Sequence, residues 1–345
     1  MKSLCLWAIF VALFVGATVA DLRAEETTTQ SVSYAFARAA DGSEWATTDW
    51  GRLGVARMAT APFPDDSRTT GFVSKRGVFP REGHYDDNRV AFVIPRGFQP
   101  HRSIDIIVHF HGHLNECVRV VREFKLGELL EASGRNALVI VPQGPKNVPD
   151  SGGGKLEKPG AFSAFVKEAL DVLARNGVIT TGTRVRHIVL SGHSGAYRVM
   201  AQILDHGGEL DKIREVWLFD AAYGFFDELA APFTSAKLER QLRSIFTDHL
   251  ATENIQIMSR IALAGHKPMI VFDDLLTTAG TSADSIKNRK FRSVTAKAGS
   301  DEIVTLLQRE PLLFIYTSLS HNDVIAARRY FEFFARESPF LQPRK

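Results

Sequence analysis

The sequence predicts an α/β protein with a largely parallel sheet covered by helices. From about residue 89 onward, short apolar runs alternate with amphipathic stretches, which is the pattern of such a sheet. One apolar run passes through a tight, glycine-flanked turn directly into a periodic helix. At 345 residues and 45% hydrophobic content, the chain is large enough to bury the core that this architecture needs.

The first twenty residues differ from the rest of the chain. Lys2 precedes an apolar run from Leu4 to Val15, and small residues follow the run. This order predicts a secretory signal peptide over residues 1–20, because a membrane-spanning helix needs ~20 apolar residues. We therefore expect export to the periplasm or the medium, with no stable membrane insertion after cleavage. Cleavage leaves Cys117 as the only cysteine, which predicts a packed core residue rather than a disulfide.

The mature chain divides into a lead-in and one globular domain. Residues 21–68 are predicted to be a poorly structured lead-in, and residues 69–345 the domain. Within the domain, residues 221–267 form a long, partly helical stretch, which predicts a lid over the carboxyl edge of the sheet. The formal net charge of +3 favours neither nucleic-acid binding nor strong membrane-surface attraction. The sequence does not determine an oligomeric state.

Strands and helices follow from the apolar pattern. The strands, which we expect to be buried on both faces, are Val90–Ile94, Ile104–Phe110, Ala137–Val141, His187–Leu190, Val216–Phe219, Met269–Phe272 and Leu312–Tyr316. The predicted helices are Phe162–Leu173, Ala196–Leu204, a helix from Asn115 toward Gly134, and Asn322–Arg336 with a cap at Asn322.

Ser194 lies at the turn between an apolar strand and a periodic helix. Gly192 and Gly195 flank it, and small residues allow a bend so sharp that the serine hydroxyl is lifted clear of the sheet. This is the geometry of a nucleophile elbow. The pattern departs from G-x-S-x-G at Ala196, but alanine is still small enough for close packing. The alternative is an ordinary serine that caps the helix.

A serine hydroxyl needs a base to take its proton, and His321 is the predicted base. It follows the last predicted strand and precedes the final helix, which is where this histidine is expected. The alternative for His321 is a surface residue or a helix cap.

The acid that orients the imidazole has more than one candidate. Asp220 closes the strand after the elbow, and Asp273 and Asp274 close the next predicted strand. Either position would hold the imidazole in the required tautomer, so chemistry alone leaves both open. Asp323 is expected to favour the N-terminus of the final helix through its dipole.

A tetrahedral intermediate also needs two backbone N–H donors. We predict that they come from Gly195, directly after the nucleophile, and from His113, in the loop that follows an earlier strand. Gly112 beside His113 allows close backbone approach. The competing interpretation is a metal site formed by His109, His111 and His113, which alternate along the strand. No acidic ligand lies nearby at the usual spacing, so a histidine-glycine turn explains the segment more simply.

These pieces resemble the α/β-hydrolase superfamily over about residues 85–340. The resemblance depends on His111-Gly112, Ser194 and His321, which occur in the family's chain order. Three longer segments are similar to those of exported bacterial hydrolases: Ser191–Tyr197, Phe219–Gly224 and Ser320–Val324. The resemblance implies a mostly parallel eight-stranded sheet, no cofactor and an acyl-enzyme mechanism. In pancreatic-type lipases the acid follows the strand after the elbow, so the resemblance favours Asp220 over Asp273.

The expected function is that of an exported serine hydrolase acting on carboxylic esters, with Ser194, Asp220 and His321 as the triad. A peptidase or amidase on the same triad is the first alternative. A non-catalytic binding protein with the same fold is the second. The expected partner is a small-molecule ester or amide, and neither a metal nor a cofactor is expected. The substrate is given only as a class, because fold and triad together do not specify it.

Overall fold

A large mixed β-sheet forms the centre of the molecule. The computed structural model describes residues 33–273, 291–296 and 300–345. Its strands are β1 (Ala37–Arg38), β2 (Glu44–Thr48), β3 (Gly51–Arg57), β4 (Phe72–Ser74), β5 (Gly77–Phe79), β6 (Arg89–Pro95), β7 (Ser103–Phe110), β8 (Ala137–Pro142), β9 (Arg184–His193), β10 (Ile213–Phe219), β11 (Gln241–Phe246), β12 (Met269–Asp273), β13 (Arg292–Ala296) and β14 (Leu312–Tyr316).

Twelve of these strands pair in one sheet, in the order β1-β2-β3-β6-β8-β7-β9-β10-β11-β14-β12-β13, and β4 pairs with β5 in a separate hairpin. From β8 to β13 every neighbouring pair is parallel. The strands from β1 to β6 are antiparallel to their neighbours. Because the carboxyl ends of parallel strands meet at one edge, the loops after β7, β9, β10, β11 and β14 converge there.

Helices cover both faces of the sheet. They are α1 (Cys117–Glu123), α2 (Leu126–Ala132), α3 (Ala161–Arg175), α4 (Tyr197–His206), α5 (Phe226–Ala230), α6 (Ala251–Leu263), α7 (Asp301–Arg309) and α8 (Tyr330–Arg336). Alternate strand residues enter different cores: Ile106 and Val108 pack in one, and Ile107 in the other. Apolar side chains on both faces explain why the strands read as continuous apolar runs.

All seven strands expected from the sequence are present, and the predicted helices over Phe162–Leu173 and Ala196–Leu204 correspond to α3 and α4. Two other helix predictions were wrong in their extent. The helix after Asn115 is interrupted at Lys125, whose φ of 52° is left-handed, so it forms α1 and α2. The last helix begins at Tyr330 rather than Asn322, because residues 321–328 form turns.

The sheet is larger than the eight strands expected. Short, largely exposed strands such as β1 and β13 carry no apolar run that would reveal them. The segment 21–68, expected to be a poorly structured lead-in, supplies β1, β2 and β3 to the sheet. The segment 221–267, expected to be a lid, supplies β11 to the middle of the sheet and α6 beside it.

The expected signal peptide, residues 1–20, lies outside the described residues. In the part that the structure describes, no helix is long and apolar enough to cross a bilayer. Cys117 is a free, fully buried thiol at the start of α1, as expected for a packed core residue. Burial raises the pKa of this thiol, so it stays protonated at neutral pH.

Candidate active site

Ser194 lies at a strained turn between β9 and α4. Its φ is 55°, a left-handed conformation that is uncommon for residues other than glycine and is concentrated at functional sites. A Cβ on Gly192 would lie 2.4 Å from Met200 Sδ and 2.7 Å from Ala196 Cβ, so the strand and the helix pack too closely for a side chain there. Ala196 therefore fits where a glycine was expected, because Gly192 opposite it has no side chain.

His321 lies in the loop after β14 and reaches Ser194. Its Nε2 is 2.8 Å from Ser194 Oγ, and its Nδ1 is 2.6 Å from Asp220 Oδ2. A carboxylate only accepts hydrogen bonds, so Nδ1 carries the proton and Nε2 is free to accept the serine hydroxyl proton. The structure thus brings together the predicted nucleophile, base and acid.

Asp220 is fully buried at the end of β10, and it, rather than Asp273, contacts His321. The backbone N–H of Thr247 donates to Asp220 Oδ1 at 2.9 Å. The Thr247 hydroxyl donates to Oδ2 at 3.0 Å. These bonds, with the one from His321, compensate the cost of burying the carboxylate.

Asp273 belongs to a different cluster at the end of β12. Thr317 Oγ1 donates to Asp273 Oδ2 at 2.9 Å, and Arg328 forms an ion pair with the same carboxylate. Asp274 lies outside the described residues. Asp323 accepts a hydrogen bond from Ser320 Oγ at 2.6 Å and is not at the start of a helix, so its expected interaction with the helix dipole was wrong.

Gly112 brings the loop after β7 against Ser194. A Cβ on Gly112 would lie 2.6 Å from Ser194 Cβ, closer than real Cβ contacts allow. A Cβ on Gly195 would lie 2.5 Å from His113 Cδ2, so the two residues expected to supply N–H donors lie side by side. His113 Nε2 is also 2.8 Å from Ser151 Oγ, which links it to the loop after β8.

The three alternating histidines do not converge on one point. His109 Nδ1 pairs with Ser191 Oγ at 2.9 Å, and His111 Nε2 accepts the Gly144 N–H at 2.9 Å. Among the described residues, the group whose ligand atoms lie close enough for a metal is Asp220, His249 and His321, within 4.8 Å of one another. Both ring nitrogens of His321 already have protein partners there.

The site opens into a cavity of about 900 Å³ lined by Ser194, His321 and residues of the surrounding loops. Among the lining residues that the sequence did not predict as site residues are Tyr223 and His249. Tyr223 follows Asp220 by three positions, a signal that could have been noticed. His249 follows β11, a strand that the sequence did not reveal.

Ser194 lies on a strained strand-to-helix turn, and Asp220 and then His321 follow it along the chain at one edge of a mostly parallel sheet, which is the arrangement of one architecture. The chain has the α/β-hydrolase fold. The assignment depends on the turn at Ser194, the strand directions and the chain order of Ser194, Asp220 and His321.

Solved structures with some similarity to this chain include several hydrolases. A feruloyl esterase module from Clostridium thermocellum has a TM-score of 0.45 and 12% identity, covering 90% of this chain and 95% of its own. An S-formylglutathione hydrolase from Agrobacterium tumefaciens has a TM-score of 0.40 and 11% identity, covering 85% and 98%. An IroE-like serine hydrolase from Shewanella oneidensis has a TM-score of 0.41 and 11% identity, covering 71% and 74%.

No protein-family model matches the sequence, and no curated protein matches it. The similarities to the three hydrolases are too low to carry an argument about activity. Any functional assignment therefore depends on the geometry of the α/β-hydrolase fold in this chain.

Proposed function

We propose that this chain is an exported serine hydrolase that cleaves carboxylic esters through an acyl-enzyme intermediate. The observation that carries the proposal is the continuous hydrogen-bonded series from Ser194 Oγ through His321 to Asp220, with contacts of 2.8 Å and 2.6 Å. A serine in this series can lose its proton as it attacks, because the imidazole accepts it and the carboxylate stabilises the imidazolium that results.

The proposed reaction begins when His321 Nε2 takes the Ser194 proton and Oγ bonds to the ester carbonyl carbon. The carbonyl oxygen becomes an oxyanion, which the backbone N–H groups of His113 and Gly195 would stabilise. The C–O bond to the alcohol then breaks, and the alcohol leaves with the proton from His321. Water, activated by the same imidazole, hydrolyses the acyl-serine and releases the acid.

The experiment that tests the proposal combines covalent labelling with turnover. A fluorophosphonate probe should label the wild-type protein, and Ser194→Ala should abolish both labelling and hydrolysis of short aryl esters. A protein that binds esters but is neither labelled nor active would instead support a non-catalytic binding function.

Matched ester and amide substrates test the choice of bond. We expect the ester of each pair to be hydrolysed faster, because the alkoxide is the better leaving group. Faster cleavage of the amide would favour a peptidase or amidase on the same residues and contradict the esterase assignment.

Export is proposed from residues 1–20 alone. Intact mass and N-terminal sequencing of the protein recovered from the periplasm or medium should place the mature N-terminus at Asp21. Recovery of the full-length chain from the cytoplasm would contradict it.

A further inference from the structure

A second series of hydrogen bonds starts at Asp220 and ends in the cavity. Besides donating to Asp220, Thr247 has its Oγ1 2.7 Å from His249 Nδ1. His249 Nε2 is 2.8 Å from the Tyr223 hydroxyl. The Tyr223 side chain is partly exposed, and its ring meets the His321 ring edge to face, with centroids 6.3 Å apart.

The direction of each bond follows from the groups involved. The Thr247 hydroxyl has one proton, and the Asp220 carboxylate, which can only accept, takes it. Toward His249 the same oxygen must therefore accept, so His249 Nδ1 donates to it. In the tautomer whose single ring proton is on Nδ1, Nε2 is an acceptor, and the Tyr223 hydroxyl donates its only proton to it.

This leaves Tyr223 with no proton to offer a substrate. Its oxygen presents only lone pairs to the cavity, beside Ser194 and His321. Burial, together with the nearby Asp220 carboxylate, raises the pKa of Tyr223 to about 12, so the hydroxyl stays neutral at ordinary pH.

The cavity around Tyr223 is itself polar. Its lining includes Arg76, Asn115, Arg119 and Asn322, and few apolar side chains contribute. Such a lining suits a substrate with hydroxyl or amide groups better than a long acyl chain.

We propose that Tyr223 is a specificity-determining residue that accepts a hydrogen bond from an O–H or N–H group of the substrate next to the scissile ester. This inference rests on the proposed function, because it takes Ser194 as the reacting group. It predicts a preference for polar, donor-bearing esters such as those of polyols or hydroxy acids. His249 and Thr247 act as positioning residues that fix the Tyr223 hydroxyl as an acceptor.

The test uses pairs of esters that differ in one donor. The alcohol side is probed with the 2-hydroxyethyl and 2-fluoroethyl esters of one acid, and the acyl side with 3-hydroxybutanoate and 3-methoxybutanoate esters of one alcohol. We expect the wild-type protein to prefer the hydroxyl member of at least one pair by about tenfold in kcat/KM, the value of one hydrogen bond. The ratio within a pair cancels any general loss of activity.

Tyr223→Phe should bring this ratio close to one, and His249→Ala should reduce it by freeing the hydroxyl to rotate. Tyr197→Phe is the matched control, since the Tyr197 ring lies 5.8 Å from that of Tyr223 without lining the cavity; its ratio should match wild type. A wild-type ratio near one in both pairs, or a preference that persists in Tyr223→Phe, would overturn the inference about Tyr223. Fluorophosphonate labelling at Ser194 would still support the proposed function in either case.

Discussion

His193 donates its Nε2–H to the backbone carbonyl of His321 across 2.9 Å. The two rings also lie against each other, with centroids 4.7 Å apart. Burial, together with the neighbouring His321, lowers the pKa of His193 to about 4, so this imidazole is neutral near pH 7. Thus His193, directly before Ser194 in the chain, holds the loop that carries the proposed base.

Removing this donor should reduce turnover without changing the triad residues. We expect His193→Leu to lower kcat by about tenfold to a hundredfold, because small displacements of a catalytic group have effects of this size. KM should change much less. His193→Gln, whose amide can donate from a similar position, should recover most of the rate, and equal losses in both variants would contradict this positioning role.

The same histidine should make the protein sensitive to acid. The unfolded chain binds this proton below about pH 6.5, but the native protein binds it only below about pH 4. The contribution of His193 to stability is therefore fully present above pH 6.5 and is lost as the pH falls toward 4, by about 1.4 kcal/mol per pH unit. Urea unfolding at pH 7 and pH 5 should show a smaller loss in His193→Gln than in wild type, and an equal loss would contradict the assignment.

Substitutions at Asp220 and Asp273 should affect different properties, the rate of the reaction in the first case and the free energy of unfolding in the second. Asp220→Asn should lower kcat by on the order of 10⁴, because an amide favours the wrong imidazole tautomer. Asp273→Asn removes a buried charge from its pairing with Arg328 and should cost roughly 3 kcal/mol in the free energy of unfolding. Below its lowered melting temperature, the second variant should keep the wild-type kcat; the reverse pattern would identify Asp273 as the acid.

Gly112→Ala should displace Ser194 or the loop that faces it. The added Cβ would lie 2.6 Å from Ser194 Cβ and 3.2 Å from Ser194 Oγ. We expect a loss on the order of a hundredfold in the rate of ester hydrolysis and of fluorophosphonate labelling. A thermal unfolding curve serves as the control for folding, and a well-folded variant with wild-type labelling would show that the loop can move away at little cost.

Metal chelation should leave the reaction unchanged. A serine mechanism needs no ion, so kcat/KM measured with and without EDTA should agree. A loss of activity in EDTA that metal restores would contradict the proposed mechanism.

The largely parallel sheet, and Ser194 and His321 as candidate site residues, could be predicted from the sequence because their signals are local. Strands buried on both faces read as apolar runs, and a tight strand-to-helix turn demands small residues near the serine. β11 could not be found in the same way, since its central Arg243 is polar. That side chain is fully buried and donates to the carbonyl oxygens of Phe334 and Glu337 at 2.6 Å and 3.0 Å, partners almost a hundred residues away.

The sequence by itself predicted the class of fold, Ser194 as the nucleophile and His321 as its base, because each prediction depends on the order of residues within one strand and the loop that follows it. Only the tertiary structure decided that Asp220 rather than Asp273 contacts His321, and that Thr247, His249 and Tyr223 continue from the same carboxylate. The physical reason is that these contacts join loops from different strands, and their distances depend on strand order and register, which local residue patterns do not encode.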